Sequence, residues 1–153
     1  MPLMLQILAV LVLGLMCGSE FNIGAFAHPA FQRQTLEAHV SLRASFALLF
    51  GRIMPFWMSG SVLLNLLLLL PFVHLSPSAW WLAAISFGIQ VAAVVFSLVG
   101  PVPINKRIAR WTAASLPSNW RMQEHRWDLY HSFRTAGLIV AFAILVGSVG
   151  LAR

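Results

Sequence analysis

The sequence predicts an all-α fold: a four-helix transmembrane bundle with a short amphipathic interfacial helix on its cytoplasmic side. Hydrophobic residues make up 59% of the 153 residues and charged residues only 9%, and the mean hydropathy is +0.83, outside the range of soluble domains. Four segments are long and apolar enough to cross a bilayer, which takes about 20 residues. These segments must be helices, because lipid offers the backbone no hydrogen-bond partners. They are residues 3–27, 53–73, 79–102 and 129–151, within a single integral membrane domain, residues 1–153.

The distribution of charge predicts the orientation of this bundle. Nine of the ten Lys and Arg residues lie on the side of the two longer connections, residues 28–52 and 103–128, and only Arg153 lies opposite. The positive-inside rule therefore places both long connections in the cytoplasm and both termini outside, in a multi-pass protein of the bacterial inner membrane. Membrane lipid, and not nucleic acid, is the expected partner of the net charge of +6, since the basic residues crowd beside the spans. The single cysteine, Cys17, excludes a disulfide framework within one chain.

The first span contains residues that a purely lipid-facing helix would not need. Gly14 and Gly18 form a small-xxx-small pair that permits close helix packing, within the chain or in a homo-oligomer. Glu20 and His28 share a helix face near the cytoplasmic end of this span. A carboxylate so close to lipid must be neutral, paired or solvated. Glu20 is therefore expected either to pair with an arginine or to act as a proton acceptor or ligand, and His28 to be an interfacial helix-end residue or part of a site.

Further polar residues lie within and after the middle spans. Asn65 and Gln90 fall near mid-membrane and are expected to form interhelical hydrogen bonds. Two prolines end the third span, and residues 104–111 then read as an amphipathic helix along the inner interface. Asn105 follows directly after the proline break, so it either caps this helix or directs its amide into a pocket.

The entrance to the last span carries the residues with the most chemical capacity. Trp127, His131 and Arg134 follow one another at i, i+4 and i+7, so a helix presents all three on one face. This face joins a proton carrier, a fixed cation and an aromatic ring at the membrane boundary. Together with residues of the other segments, it predicts an apolar pocket for a hydrophobic small molecule. The pocket residues are Glu20, His28, His39, Asn105, Trp120, Arg126, Trp127, His131 and Arg134.

Several of these segments resemble the anthrone oxygenase-like membrane proteins, a four-span family of bacteria and fungi. The resemblance rests on Gly18-x-Glu20, His28-Pro29-Ala30, Pro103-Ile104-Asn105, Trp120, and Arg126-Trp127-Asp128-x-x-His131-x-x-Arg134. It implies oxygenation of a hydrophobic phenolic substrate by O2, a monooxygenase-type reaction associated with no flavin, nicotinamide or metal motif.

Carried onto this sequence, the resemblance implies a role for each pocket residue. His131 would be the base, with Glu20 orienting it or replacing it. Arg126 or Arg134, with Asn105, would hold a phenolate oxygen. Trp127 would stack on the substrate ring, and Trp120 and His28 would complete the binding site.

Two other classes of function stay open at this level. A four-helix bundle can hold haem b between facing imidazoles, or a metal ion on His and carboxylate ligands, and the available ligands are His28, His39, His131 and Glu20. No pair of them has a diagnostic spacing. A structural membrane subunit without catalysis is the third class.

Overall fold

The structure, a computed structural model, describes residues 2–151, so Arg153, the one basic residue expected on the outer side, lies outside them. The all-α prediction is confirmed, and four of the helices are long and apolar enough to span a membrane. A π-helical turn, Ile23–Ala27, joins α1 to α2, and two 3₁₀ turns lie in later connections, Pro71–Val73 and Ala113–Ser115. The helices are α1 (Pro2–Asn22), α2 (His28–Phe31), α3 (Leu36–Leu68), α4 (Pro77–Val99), α5 (Pro101–Ile108) and α6 (Trp120–Gly150).

The second and fourth spanning helices begin well before the predicted spans, at Leu36 and Trp120. Thr35 caps α3, with its hydroxyl oxygen accepting from the backbone N–H of Ala38 at 3.4 Å. The 33 residues of α3 correspond to about 50 Å of helix, against about 30 Å of hydrocarbon. The first turns of α3 therefore stand at or beyond the membrane boundary. We call the end of the bundle that carries residues 28–52 and 103–128 the basic end.

Apolar packing holds the four long helices together. α4 packs along α6, while α1 packs against both α6 and α3, and Leu13, Leu138 and Leu145 are almost fully buried between them. The hydroxyl of Ser76, in the connection from α3 to α4, donates to the carbonyl oxygen of Leu151 at 2.7 Å. The end of α6 thus lies beside this short connection, at the end of the bundle opposite the basic end, as the sequence predicts.

A polar cluster fastens α3, α4 and α6 near mid-membrane. Ser61 donates to the side-chain oxygen of Gln90 at 2.9 Å, and the amide of Asn65 lies 3.1 Å from the hydroxyl of Ser86. Ser86 in turn donates to the carbonyl oxygen of Ala141 on α6 at 2.8 Å. The expected interhelical hydrogen bonds of Asn65 and Gln90 are therefore present, and both residues are buried.

α5 closes the basic end of the bundle. It runs from Pro101 to Ile108, earlier than the predicted 104–111, because prolines fit in a first helical turn whose N–H groups have no intrahelical partner. Its apolar residues Ile104 and Ile108 are buried in a cluster with residues of α3 and α6. The predicted amphipathic face thus packs onto the bundle, and its cations stay exposed.

The glycines of α1 differ in their surroundings. A Cβ at Gly14 would lie 2.8 Å from the ring of Phe142 on α6, whereas one at Gly18 would meet no atom within 4 Å. Gly14 therefore serves close packing inside the chain. The homo-oligomer stays a prediction.

The mid-membrane cluster makes a testable contribution to stability. Asn65→Ala removes the side-chain contact between α3 and Ser86 of α4, so we expect it to lower the free energy of unfolding by about 1 kcal/mol. The measurement is an SDS titration of the protein in detergent micelles. Gly60→Ala is the matched control in α3, because its Cβ would meet no atom within 4 Å. Equal stability of both variants would contradict the role assigned to Asn65.

Candidate functional site

A cavity of about 650 Å³ lies toward the basic end, between α3, α4, α5 and α6, with the end of α1 behind it. Its wall is mainly apolar, formed by side chains such as Phe46, Met54 and Met58. A small set of polar side chains also reaches it. The buried and half-buried ones are Glu20, His28, Arg43, Ser97, Asn105, His131 and Arg134, and the exposed ones are Arg52, Ser59 and Lys106. Its volume lies within the range of about 300–1,000 Å³ that is typical of small-molecule sites.

The centre of the polar wall is an ion pair between the first and last spanning helices. Glu20 and Arg134 are 1% and 8% exposed, and Oε2 of Glu20 accepts from Nη2 of Arg134. Nη1 of Arg134 also donates to the hydroxyl of Ser97 on α4 at 3.1 Å. The pairing with an arginine, one of the two alternatives for Glu20, is therefore what the structure shows.

His131 completes this cluster. Its Nε2 lies 2.9 Å from the main-chain carbonyl oxygen of Glu20, and its Nδ1 lies 3.2 Å from Oε2 of the same residue. A carbonyl oxygen only accepts, so Nε2 carries the proton and donates. A Cβ at Gly24 would come within 3.2 Å of the imidazole, which means that glycine at this position of the π-helical turn makes room for the ring.

The indole of Trp127 packs against three of the polar side chains. The rings of Trp127 and His131 are stacked, with centroids 4.6 Å apart and an interplanar angle of 11°. The guanidinium carbon of Arg43 lies 5.1 Å from the indole centroid, and the ring of His28 lies 4.8 Å from it. The indole of Trp127 was expected to stack on a substrate. His131 occupies part of its face, and the indole in turn fixes the orientation of the imidazole.

A second ionic cluster lies between the cavity and the basic end. Nδ1 of His28 lies 3.0 Å from Oδ1 of Asp128, and Nη1 of Arg43 lies 3.0 Å from the same oxygen and contacts His28. Oε1 of Glu124 lies 2.9 Å from Nε of Arg43 and 2.8 Å from Nε2 of His39. The contacts to Glu124 have ion-pair distances without the angles of hydrogen bonds. Arg43 is therefore the cation that joins both acids of α6 to α3.

The structure brings some of the remaining predicted residues to the cavity and not others. Asn105 lines it and donates to the carbonyl oxygen of Ala47 at 3.4 Å, from inside α5 and not from its cap. Arg126 is exposed and donates to the hydroxyl of Tyr130 at 3.3 Å. Trp120 lies outside the cavity, with its ring 5.8 Å from that of His39, and His39 belongs to the second ionic cluster.

The proposed ligands of a metal or haem have protein partners. Among residues 2–151, no three His, Cys, Asp or Glu side chains are grouped so as to hold a metal ion. The rings of His28 and His131 are 6.2 Å apart, and both nitrogens of His131 face atoms of Glu20. Haem and metal binding stay predictions.

Four residues of the site were missed as site residues: Arg43, Ser97, Glu124 and Asp128. Part of the signal was present, since His39 and Arg43 are four residues apart on α3, as are Glu124 and Asp128 on α6. These spacings predict two polar faces at the same end of the bundle. They do not predict that the two faces meet, because that depends on the rotation of α3 relative to α6.

The energetic coupling between Glu20 and Arg134 tests whether they form a buried ion pair. Arg134→Gln leaves the carboxylate of Glu20 buried without its cation, so we expect a loss of about 3–5 kcal/mol in the free energy of unfolding. The double variant Glu20→Gln/Arg134→Gln removes both charges and should recover part of this loss. SDS titration measures each value, with Arg110→Gln, an exposed arginine of the same end, as the control. Additive losses in the double variant would contradict the pairing.

One family of known proteins matches this chain. No curated protein and no solved structure matches the chain. The family model described as anthrone oxygenase matches residues 23–144. This range includes Arg43, Trp127, His131 and Arg134, and it begins just after Glu20. Since it covers most of the 153 residues, the chain belongs to the anthrone oxygenase family.

Proposed function

We propose that this protein is a membrane oxygenase that uses O2 to convert an activated CH₂ group of a hydrophobic phenolic or aromatic molecule into a carbonyl group. The observation that carries the proposal is the cluster of Glu20, His131 and Arg134 in the wall of a largely apolar cavity. A base next to a fixed cation suits the removal of a proton from carbon, because the cation stabilises the anion that forms. Family membership supports the same reaction class.

The geometry favours Glu20 as the group that takes the proton. His131 is engaged at both ring nitrogens, whereas the polar contacts of the Glu20 carboxylate within residues 2–151 involve Oε2. Oε1 is thus available to a molecule in the cavity. His131 then acts as a positioning residue for Glu20, since its Nε2–H donates to the main-chain carbonyl oxygen of Glu20.

The oxygen of the substrate anion needs hydrogen-bond donors. Arg134 and Asn105 both line the cavity, and a guanidinium and an amide supply such donors. Nε of Arg134 is buried without a hydrogen-bond partner, so its donor capacity is not exhausted by Glu20 and Ser97. In a site that excludes water, these charges act more strongly than they would in solution.

The reaction balances without a further oxidant. Glu20 takes a proton from the CH₂ group, and the electron pair left behind forms an enolate. The enolate transfers one electron to O2, and the resulting radical and superoxide combine to a peroxide, which takes the proton back. Loss of the second C–H proton then breaks the O–O bond and leaves a carbonyl group and water. The carbon loses four electrons and O2 gains four.

We also propose in which membrane the protein lies and how it is oriented there. The protein is a multi-pass membrane protein, and we place its basic end in the cytoplasm of a bacterial cell, with both termini outside, because of the positive-inside rule. Under this orientation the cavity faces the inner leaflet and the cytoplasm.

Catalysis can be measured with anthrone as the test substrate. We expect the purified protein in nanodiscs to form anthraquinone from anthrone and O2, with one atom of ¹⁸O₂ in the new carbonyl group. Glu20→Gln should lower kcat about 10²–10⁴-fold, since it removes the base. Arg110→Gln is the matched control that keeps the base, and SDS titration reports whether each variant is folded. A folded Glu20→Gln protein with unchanged kcat would overturn the assignment of the base.

Gly24→Ala tests the position of His131 without removing any charge. The added Cβ would lie 3.2 Å from the imidazole, so the ring must shift by a few tenths of an ångström and pull Glu20 with it. We expect kcat to fall about tenfold or more with little change in KM, because the geometry of the base is affected more than binding. Gly18→Ala, where a Cβ meets no atom within 4 Å, is the control. An unchanged kcat for Gly24→Ala would contradict the positioning role.

The haem alternative predicts a different property of the same sample. Bis-histidine haem would give the purified protein a Soret band that His28→Ala and His131→Ala each abolish. A spectrum with this band would replace the oxygenase proposal by a redox function.

A further inference from the structure

The cavity opens sideways between α3 and the pair formed by α4 and α5. Several of its lining residues are exposed on the outer surface of the bundle: Leu48, Gly51, Pro55, Ser59 and Leu98. Leu98 is 62% exposed and Leu48 48%. On a membrane protein, apolar side chains on the outer face of spanning helices contact lipid. The opening, which we call the mouth, therefore faces the bilayer.

The backbone at the mouth leaves a gap. Pro55 lies inside α3 and has no N–H, so the carbonyl group of Gly51 lacks its helical partner. Gly51 itself has no side chain, and a Cβ there would meet only the amide nitrogen of Asn105, at 3.8 Å. A ligand passing Gly51 thus meets the backbone and the amide of Asn105 in place of a packed side chain.

Two cations lie at the mouth. Arg52 of α3 and Lys106 of α5 are exposed and belong to the cavity lining. Among residues 2–151, neither forms an ion pair with a carboxylate, and the one acid of the lining, Glu20, is bound to Arg134. The mouth is therefore an apolar opening with an uncompensated positive charge at its rim.

We propose that the cavity is loaded sideways from the leaflet at the basic end with membrane-dissolved aromatic amphiphiles that carry an anionic group, which Arg52 and Lys106 hold at the mouth. The apolar body enters between α3 and α4, while the anionic group stays near the polar boundary, where its hydration is kept. This deepens the oxygenase proposal and rests on it in one respect, namely that the loaded molecule is the one oxidised. The loading itself is measured as binding.

A photoreactive probe tests the route. 4-Benzoylbenzoate is a hydrophobic aromatic carboxylate whose excited ketone inserts into C–H bonds, particularly those beside sulfur. Met54 and Met58 are both buried and line the cavity. After illumination of the protein in nanodiscs, we expect peptide mapping to find the label on these two methionines. Labelling confined to other residues would overturn the proposal.

Substitutions at the mouth test whether its open shape is needed for labelling of the cavity. Gly51→Phe should block the opening and lower labelling of Met54 and Met58 about tenfold, while Gly60→Phe, in the same helix but outside the cavity lining, should leave it unchanged. Ser59→Trp is a second variant that should block the opening, should Gly51→Phe fail to fold.

The charge at the mouth is tested with a second pair of substitutions. Arg52→Gln/Lys106→Gln should lower labelling by the carboxylate about tenfold and leave labelling by its uncharged methyl ester within about twofold. Equal effects on both probes would overturn the role of the two cations.

The source of the ligand is tested with a probe that cannot leave the bilayer. A phospholipid with benzophenone on one acyl chain reaches Met54 and Met58 only through an opening toward lipid. We expect it to label them, and to do so less in Gly51→Phe. Labelling of these residues by the soluble probe alone would show that the cavity is loaded from water. Anthrone turnover is not used in these assays, so a failure of the oxygenase proposal leaves this result intact.

Discussion

The ion pair between Glu20 and Arg134 is the constraint on which the rest of the structure depends. Burying two charges costs several kcal/mol per ion, and their attraction offsets this only if the remaining polar atoms also find partners. Ser97 and His131 provide partners for Nη1 and Nη2 of Arg134, so three helices are held at one depth: α1, α4 and α6. The cavity can form beside this point because the helices cannot slide past one another without breaking the pair.

Polar groups in this bundle occur at three depths with different consequences. The mid-membrane cluster around Asn65 and Ser86 is neutral and connects helices by hydrogen bonds. The Glu20 cluster is charged, buried and open to a cavity. The Arg43 cluster includes Asp128, whose side chain is 30% exposed, and so lies closest to water. Charge increases toward the basic end, because removing a charge from water costs less near the membrane boundary.

The fold and part of the site follow from local sequence patterns. Spans are set by length and hydropathy, and the common face of Trp127, His131 and Arg134 follows from helical periodicity alone. The pairing of Glu20 was foreseen as one of two outcomes. Arg43 was counted only as a cytoplasmic charge, because its role depends on the rotation of α3 against α6, which no local pattern records. Arg126 is also an arginine in the first half of α6, yet it lies on the exposed side of the helix.

The π-helical turn between α1 and α2 sets how Glu20 and His28 are oriented around the helix axis. The N–H of His28 bonds to the carbonyl oxygen of Ile23, five residues back instead of four. Each residue of an α-helix advances the chain by about 100° around the axis. Removing one residue from this turn would therefore rotate everything upstream, Glu20 included, relative to His28. The number of residues between Glu20 and His28 therefore determines whether both side chains reach the cavity.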